Sequence, residues 1–179
     1  MRNAEFPLWI QRCWHRLVSN VEEVALRPTS ITHQQVAAIF TTIKEDSLIQ
    51  SLSLRAADLD GFEISTQVLA KLVRWKLETL NLAKTWLPAG IVKVISETVA
   101  ESAGNLTTLN MYENDFGIVD DQIMAKMVQR VEELNIGKTY LSKDQVAAIM
   151  TALDESVGNL KSLNMSSNDP YSEFEDVDA

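Results

Sequence analysis

The hexapeptide Leu77-Glu78-Thr79-Leu80-Asn81-Leu82 decides the architecture, because variants of it occur six times along the chain. The three other strong copies, followed by the two weaker ones, begin at Leu106, Val131, Leu160, Val21 and Ile49. The intervals between successive starts are 28, 28, 29, 25 and 29 residues. We number the six stretches that begin at these positions units one to six. A period in this range predicts a solenoid, in which each unit buries its apolar face against its neighbours.

Each unit is predicted to form a short strand followed by a helix. In unit three, Leu80 and Leu82 alternate with polar or small residues, as in a strand with one buried face. Pro88 then suits the first turn of a helix, and in unit five Ser142 suits a helix cap. The apolar residues that recur at helical spacing in these two units are Ile91, Val92, Ile95 and Val99, then Val146, Ile149 and Leu153.

The units alternate in type at their ninth residue. The odd units carry Thr29, Thr85 and Thr139 there, and the even units carry Ala57, Asn114 and Asn168. The full period is therefore a pair of units, about 56 residues long between Val21 and Leu77. This pattern is consistent with duplication of a module that contains two units.

This alternation, over units that are 28 or 29 residues long except for one of 25, resembles the ribonuclease-inhibitor class of leucine-rich repeats. The resemblance covers residues 21–169. It implies an α/β fold, a right-handed horseshoe segment with a parallel sheet on the concave side and helices outside. It also implies that Asn114 and Asn168 turn inward to satisfy backbone groups of the loops. A threonine hydroxyl can make some of the same bonds, but Ala57 cannot, so the loop near Ala57 is expected to be the least well tied.

Both ends depart from the unit plan. Residues 1–20 are predicted to form an N-terminal capping helix, since Phe6, Trp9, Cys13 and Leu17 make an apolar stripe. Residues 170–179 form an acidic tail. We expect this tail either to fold over the last strand or to leave an open edge through which the chain self-associates. The chain is alternatively one piece of a longer array.

Composition excludes several classes of protein. The net charge is −9, and residues 1–168 carry 16 positive and 20 negative side chains, so no basic stripe for nucleic acid is expected. Cys13 is the single cysteine, which rules out a disulfide within the chain. No apolar run reaches the ~18 residues that a membrane span requires. We therefore expect a protein of the cytosol or nucleus with no membrane partner.

Catalysis is not expected, and neither is a metal or a cofactor. Cys13 and His15 stand two residues apart on the predicted capping helix, which points them in different directions, and His33 is the only other histidine. The sequence lacks the glycine-rich phosphate-binding motifs and the nucleophile-elbow motif. Asp120-Asp121 opens a predicted helix, where carboxylates favour the positive end of the dipole.

Candidate binding residues fall into columns, because equivalent positions of adjacent strands lie side by side. Asn81, Asn110, Asn135 and Asn164 form one column, which either hydrogen-bonds along the sheet or contacts a partner. A second, mostly basic stripe is either a solvated face or a docking strip for an acidic segment, and it holds Arg27, Arg55, Lys84, Tyr112, Glu113 and Lys138. A third column, predicted on the ascending loops, reads Ser30, Asp58, Trp86, Asp115, Tyr140 and Asp169.

These columns predict a non-catalytic module that binds another protein through the concave face and the ascending rim. The residues expected to contact the partner are Arg27, Arg55, Asn81, Lys84, Trp86, Asn110, Tyr112, Glu113, Lys138 and Tyr140. Two alternatives remain open at this point. One is a regulator of a small GTPase, and the other is the recognition part of a larger sensor or ubiquitin-ligase receptor.

Overall fold

The computed structural model describes residues 23–25, 49–55, 59, 77–101, 104–155 and 159–168. The predicted capping helix at residues 1–20 and the acidic tail at 170–179 lie outside the described residues. The same is true of Arg27, of the loop near Ala57, and of Cys13, His15 and His33.

The described residues form one parallel sheet of six short strands. The strands are β1 Glu23–Ala25, β2 Ser51–Ser53, β3 Thr79–Asn81, β4 Thr108–Asn110, β5 Glu133–Asn135 and β6 Ser162–Asn164. They lie in chain order, and each pairs in parallel with the next. The expected α/β fold with a parallel sheet is therefore present.

The strands pair in a register that places equivalent residues of successive units side by side. Leu80 is the Cα partner of Leu52 on one side and of Leu109 on the other, and Leu134 pairs with Leu163. Backbone hydrogen bonds continue beyond the strands, since Leu82 N–H donates to the Asn110 carbonyl at 2.8 Å. Residues at the same position of successive units therefore lie next to one another across the sheet.

Three helices lie in the described part of the chain, and each follows a strand. They are α1 Ala89–Glu101, α2 Asp121–Arg130 and α3 Lys143–Glu155. Pro88 directly precedes α1, and its carbonyl accepts from Ile91 N–H at 2.8 Å. Asp120 caps α2, because its carboxylate accepts from Gln122 N–H at 2.9 Å, as the sequence predicted. None of the described helices is long and apolar enough to cross a membrane.

The N-terminus of α3 contains a reciprocal cap that the sequence predicted only in part. The Ser142 hydroxyl accepts from Gln145 N–H at 3.1 Å, and Gln145 Oε1 accepts from Ser142 N–H at 2.8 Å. Gln145 is also buried, and its Nε2 donates to the carbonyls of Phe116 and Val119 at 2.9 and 2.6 Å. In the predicted stripe of α3, Ile149 is buried, but Val146 is only half-buried. Gln145 occupies buried space because it satisfies two carbonyls of the preceding unit.

One apolar core runs from β2 to β6. It joins the inward residues of the strands, such as Leu80 and Leu109, to the helix residues Val92, Ile95 and Met124. Full burial of such a side chain contributes roughly 1.5–3 kcal/mol relative to leaving it exposed. The residues of α1 that the sequence assigned to the core are buried, except Ile91, which is half-buried.

Asn114 ties the loop of unit four to that of unit three, as the resemblance implied. Its Nδ2 donates to the carbonyls of Leu82 and Met111 at 2.7 and 3.1 Å. Its Oδ1 accepts from Leu87 N–H at 3.1 Å and lies 3.1 Å from the Thr85 hydroxyl. Asn168 repeats this arrangement on the loop of unit five, where its Nδ2 donates to the carbonyls of Ile136 and Met165.

At the opposite junctions, from an even unit to the following odd unit, the ninth residue contributes its backbone carbonyl instead of its side chain. Leu59 N–H donates to the Thr85 carbonyl at 2.9 Å, and Phe116 N–H donates to the Thr139 carbonyl at 3.0 Å. The two threonine hydroxyls bond locally, to the carbonyls of Leu82 and Ile136. The alternation in sequence therefore corresponds to whether the ninth residue of a unit bonds to the preceding unit through its side chain, as Asn114 and Asn168 do, or through its backbone carbonyl, as Thr85 and Thr139 do.

Replacing Asn114 with Ala should lower the free energy of unfolding by about 2–4 kcal/mol, because buried carbonyls and an N–H lose their partner. Asn168→Ala should cost less, since Asn168 is only half-buried. Urea denaturation measures both values. Exposed Asn105→Ala is the control, and a loss at Asn114 no larger than at Asn105 would contradict this account.

Candidate functional site

The strand residues on either side of the buried leucines form a face that is open to solvent. In β3 and β4 the outer residues Thr79, Asn81, Thr108 and Asn110 are half-buried, and in β5 Glu133 is exposed. We call this surface, made of the outward residues of β2 to β6, the open face. The loops that follow the strands border it.

The asparagine column on the open face bonds differently from the prediction. Each Oδ1 accepts from the backbone N–H two residues later, and these pairs are Asn81 with Ala83, Asn110 with Tyr112, Asn135 with Gly137, and Asn164 with Ser166, at 2.9–3.2 Å. These are Asx turns, which bend the chain at the end of each strand. The Oδ1 atoms therefore bond locally and not along the sheet, which was one of the two predicted alternatives for this column.

The turns lead into a row of residues with left-handed backbone conformation. Lys84, Glu113, Lys138 and Ser167 have φ of 59, 57, 52 and 57°. Their backbones remain in the hydrogen-bonded ladder, since Lys84 N–H donates to the Tyr112 carbonyl at 2.7 Å and Lys138 N–H to the Ser166 carbonyl at 2.9 Å. In this row, Glu113 lies between Lys84 on one side and Lys138 on the other.

These three charges meet around Tyr112. Lys138 Nζ lies 3.0 Å from Glu113 Oε1, and Lys84 Nζ lies 3.4 Å from Glu113 Oε2. The two ammonium groups are 5.6 Å (Lys84) and 5.9 Å (Lys138) from the centre of the Tyr112 ring, within cation–π range. We call Lys84, Tyr112, Glu113 and Lys138 the Glu113 cluster. Exposed ion pairs contribute little to stability, so the main effect of the cluster is to hold its side chains in place.

Gly137 makes room for the Tyr112 ring. A Cβ at Gly137 would lie 3.0 Å from Tyr112 Cδ2 and 3.1 Å from the Ser166 carbonyl oxygen. That carbonyl already accepts from Lys138 N–H, so it is not free to move away. Gly137 was not among the predicted site residues. The available signal was its position, since it is the residue of unit five equivalent to Tyr112 in unit four.

The cluster shifts the ionisation of two of its members. The hydrogen bond from Lys138 is the main cause that lowers the pKa of Glu113, with a smaller contribution from Lys84, while partial burial acts in the opposite direction. The hydrogen bond to Glu113 raises the pKa of Lys138. Both shifts favour the charged forms of Glu113 and Lys138. By formal charge, two lysines and one glutamate give the cluster +1.

Trp86 and Tyr140 occupy equivalent positions on the loops of units three and five. Both have left-handed backbone conformation, with φ of 52 and 58°. Their side chains are 63% and 78% exposed, so the rings pack little against the protein. A left-handed conformation costs roughly 1–2 kcal/mol for a residue other than glycine. We call Trp86 and Tyr140 the rim pair, and the equivalent residue between them is the exposed Asp115.

The structure brings together some of the predicted binding residues and separates others. Lys84, Tyr112, Glu113 and Lys138 are in contact, while Asn81 and Asn110 lie on neighbouring strands. The rim pair is exposed on the loops that border the open face. Arg55 is exposed in the turn after β2, and no described contact joins it to the Glu113 cluster.

The described residues contain no group of three or more His, Cys, Asp or Glu side chains that could hold a metal ion. No model of a known protein family matches the chain, and no curated protein is significantly similar to it.

The Glu113 carboxyl should titrate below the ordinary range of a glutamate, as measured by NMR of its Cδ across an acid titration. Because its pKa is lowered by folding, its contribution to stability is present above the unfolded pKa and is lost as pH falls through the folded value. Lys138→Gln should raise this midpoint more than Lys84→Gln does. An equal midpoint in the wild type and Lys138→Gln would contradict the geometry.

Glycine at either position of the rim pair should relieve backbone strain. We expect Trp86→Gly to be about 1 kcal/mol more stable than Trp86→Ala, because alanine retains the left-handed cost and glycine does not. Tyr140→Gly and Tyr140→Ala should differ in the same direction. Urea denaturation of the four variants measures this difference, and alanine variants as stable as the glycine variants would show that the strain is absent.

Proposed function

We propose that this chain is a leucine-rich repeat domain of the alternating, ribonuclease-inhibitor-like type, a solenoid that acts as a non-catalytic module for binding another protein. Three features support the proposal. The strands lie in chain order and in equivalent register, the ninth-position asparagines bond to the preceding loops, and the loops alternate in type with the sequence. With its single cysteine, we place the module in the cytosol or nucleus.

The observation that carries the binding function is the exposure of the rim pair. Trp86 and Tyr140 are 63% and 78% exposed on loops whose backbones are hydrogen-bonded to neighbouring units. Tryptophan, tyrosine and arginine are enriched among the residues that contribute most to protein interfaces. Side chains held on a rigid backbone also lose little conformational entropy when a partner binds.

The binding surface that we propose extends from the rim pair across the Glu113 cluster to the open face. Lys84 and Lys138 are two residues before Trp86 and Tyr140, so the cluster borders the rim pair directly. Asn81 and Asn110 continue this surface, since the turns use their Oδ1 atoms but not their Nδ2 atoms. Arg55 extends the surface toward β2.

Site-specific photo-crosslinking in an extract of the source cells tests this proposal. A benzophenone amino acid at Trp86 or at Tyr140 should crosslink a partner protein, because both positions lie within the proposed surface. The matched controls are exposed positions on the helices, Lys126 in α2 and Met150 in α3. Crosslinking that is as efficient from the helix positions as from the rim would contradict the proposed surface.

A combined variant provides a second readout. Replacing Arg55, Trp86 and Tyr112 with Ala should abolish retention of the crosslinked partner in a pull-down, since three contact side chains are lost at once. Circular dichroism and urea denaturation check that the variant remains folded. A folded variant that retains the partner at full strength would show that this face is not the binding site.

A further inference from the structure

The rim pair has a defined spacing, because the loops that carry it are joined by backbone hydrogen bonds. Phe116 N–H donates to the Thr139 carbonyl, and Lys84 N–H donates to the Tyr112 carbonyl. Trp86 and Tyr140 are two units apart, in units three and five. With adjacent strands about 4.8 Å apart, two steps separate the rim pair by about 9.6 Å along the row of loops.

This spacing matches the repeat of one particular ligand conformation. A polyproline II helix has three residues per turn and a rise of about 3.1 Å per residue, so equivalent side chains recur about every 9.3 Å. We propose that the rim pair binds a proline-rich segment of a partner in this conformation, with prolines three residues apart, one on each ring. This inference rests on the proposed function as a protein-binding module, and it specifies the class of partner.

The polar groups of the rim suit such a ligand. The backbone carbonyls of a polyproline II helix have no internal hydrogen bonds, so they need donors from the binding site. The Trp86 indole N–H and the Tyr140 hydroxyl are donors carried by the same rings that the prolines would contact. Aromatic surfaces that combine apolar stacking with such donors are the usual feature of proline-rich peptide sites.

The same rim disfavours a continuous apolar helix as the partner. Between the two rings lies Asp115, whose Oδ1 accepts from Gly117 N–H at 2.7 Å and whose side chain is exposed. An amphipathic helix would place an apolar side chain against this carboxylate and leave it without solvent or a partner. A proline-rich segment turns every third residue toward the rings, so a residue between the prolines is rotated by about 120° to one side. The long side chain of an arginine at that position can reach the Asp115 carboxylate from the side.

The left-handed backbone of the rim pair fits this role. At φ of 52 and 58°, both side chains are directed to solvent from hydrogen-bonded loops, and the fold gains little burial from them. In unit four the equivalent residue, Asp115, does not have a positive φ. Among the described loops, the left-handed conformation at this position therefore occurs where the residue is aromatic, in units three and five. The two aromatic residues are two units apart, which is the interval that the proposed ligand requires.

Fluorescence polarisation with labelled synthetic peptides tests the inference on the full chain. The probe is an oligoproline with one central arginine, and its controls are a Gly-Ser peptide with the same arginine and an oligoproline with glutamate in place of arginine. We expect the first to bind, the second not to bind, and the third to bind more weakly. Binding of the glutamate peptide at equal strength would overturn the pairing with Asp115.

Variants of the rim locate the binding. Trp86→Gly and Tyr140→Gly should each weaken the binding of the arginine oligoproline by about tenfold or more, because each removes one of two aromatic contacts. Both are expected to remain folded, so loss of binding cannot be attributed to unfolding. Met150→Ala, at an exposed position of α3, should leave the affinity unchanged. In NMR spectra the Trp86 indole N–H signal, assigned by its loss in Trp86→Phe, should shift when the peptide is added.

The outcomes separate this inference from the proposed function. Failure of the oligoproline to bind the wild type, or binding that survives both glycine substitutions, overturns the inference. If photo-crosslinking at Tyr140 still captures a partner in that case, the interaction module stands and the ligand class is wrong. If crosslinking from the rim fails as well, both proposals are wrong.

Discussion

The parallel register of six three-residue strands is the constraint on which the rest of the structure depends. Strands this short have too few hydrogen bonds and too little apolar surface to be stable alone. They persist because each buried leucine, such as Leu80, lies between its equivalents Leu52 and Leu109. The same register places the polar residues in columns. The register that packs the leucines therefore also aligns the column of asparagines, the Glu113 cluster and the rim pair.

The alternation between odd and even units determines which side chains reach the surface. Asn114 fills the interior of the unit-three loop with its amide, and Phe116 joins unit five through its backbone N–H. The loops of units three and five each contain a second left-handed residue, Trp86 or Tyr140, and the loop of unit four does not. The two rings therefore appear at every second loop. If all units were identical, every loop would carry an aromatic ring or none would. In the first case neighbouring rings would lie about 4.8 Å apart.

The surface described above combines fixed charges with strained aromatic residues. The ion pairs of Glu113 with Lys84 and Lys138 are partly exposed, so they stabilise the fold little, and the rings of the rim pair are mostly in solvent. The strained backbone of Trp86 and Tyr140 is not compensated by packing of their side chains. Uncompensated backbone strain of this kind is often found at functional sites. This arrangement supports the proposed surface for a partner, carried on loops whose backbones are hydrogen-bonded to the neighbouring units.

The sequence by itself determined the strand and helix pattern of the described units, the alternation of units, and the caps at Asp120 and Ser142, while the inward Asn114 followed from the resemblance to a known repeat class. These depend on residue type and spacing, which are visible along the chain. Only the tertiary structure showed that Asn81 closes a turn, that Gln145 is buried against Phe116 and Val119, and that Tyr112 leans over Gly137. The physical reason is that each of these depends on the conformation of a loop, or on contacts between residues some 25 to 29 positions apart. A periodic sequence specifies which residues become neighbours, and the loop backbone decides which of their atoms meet.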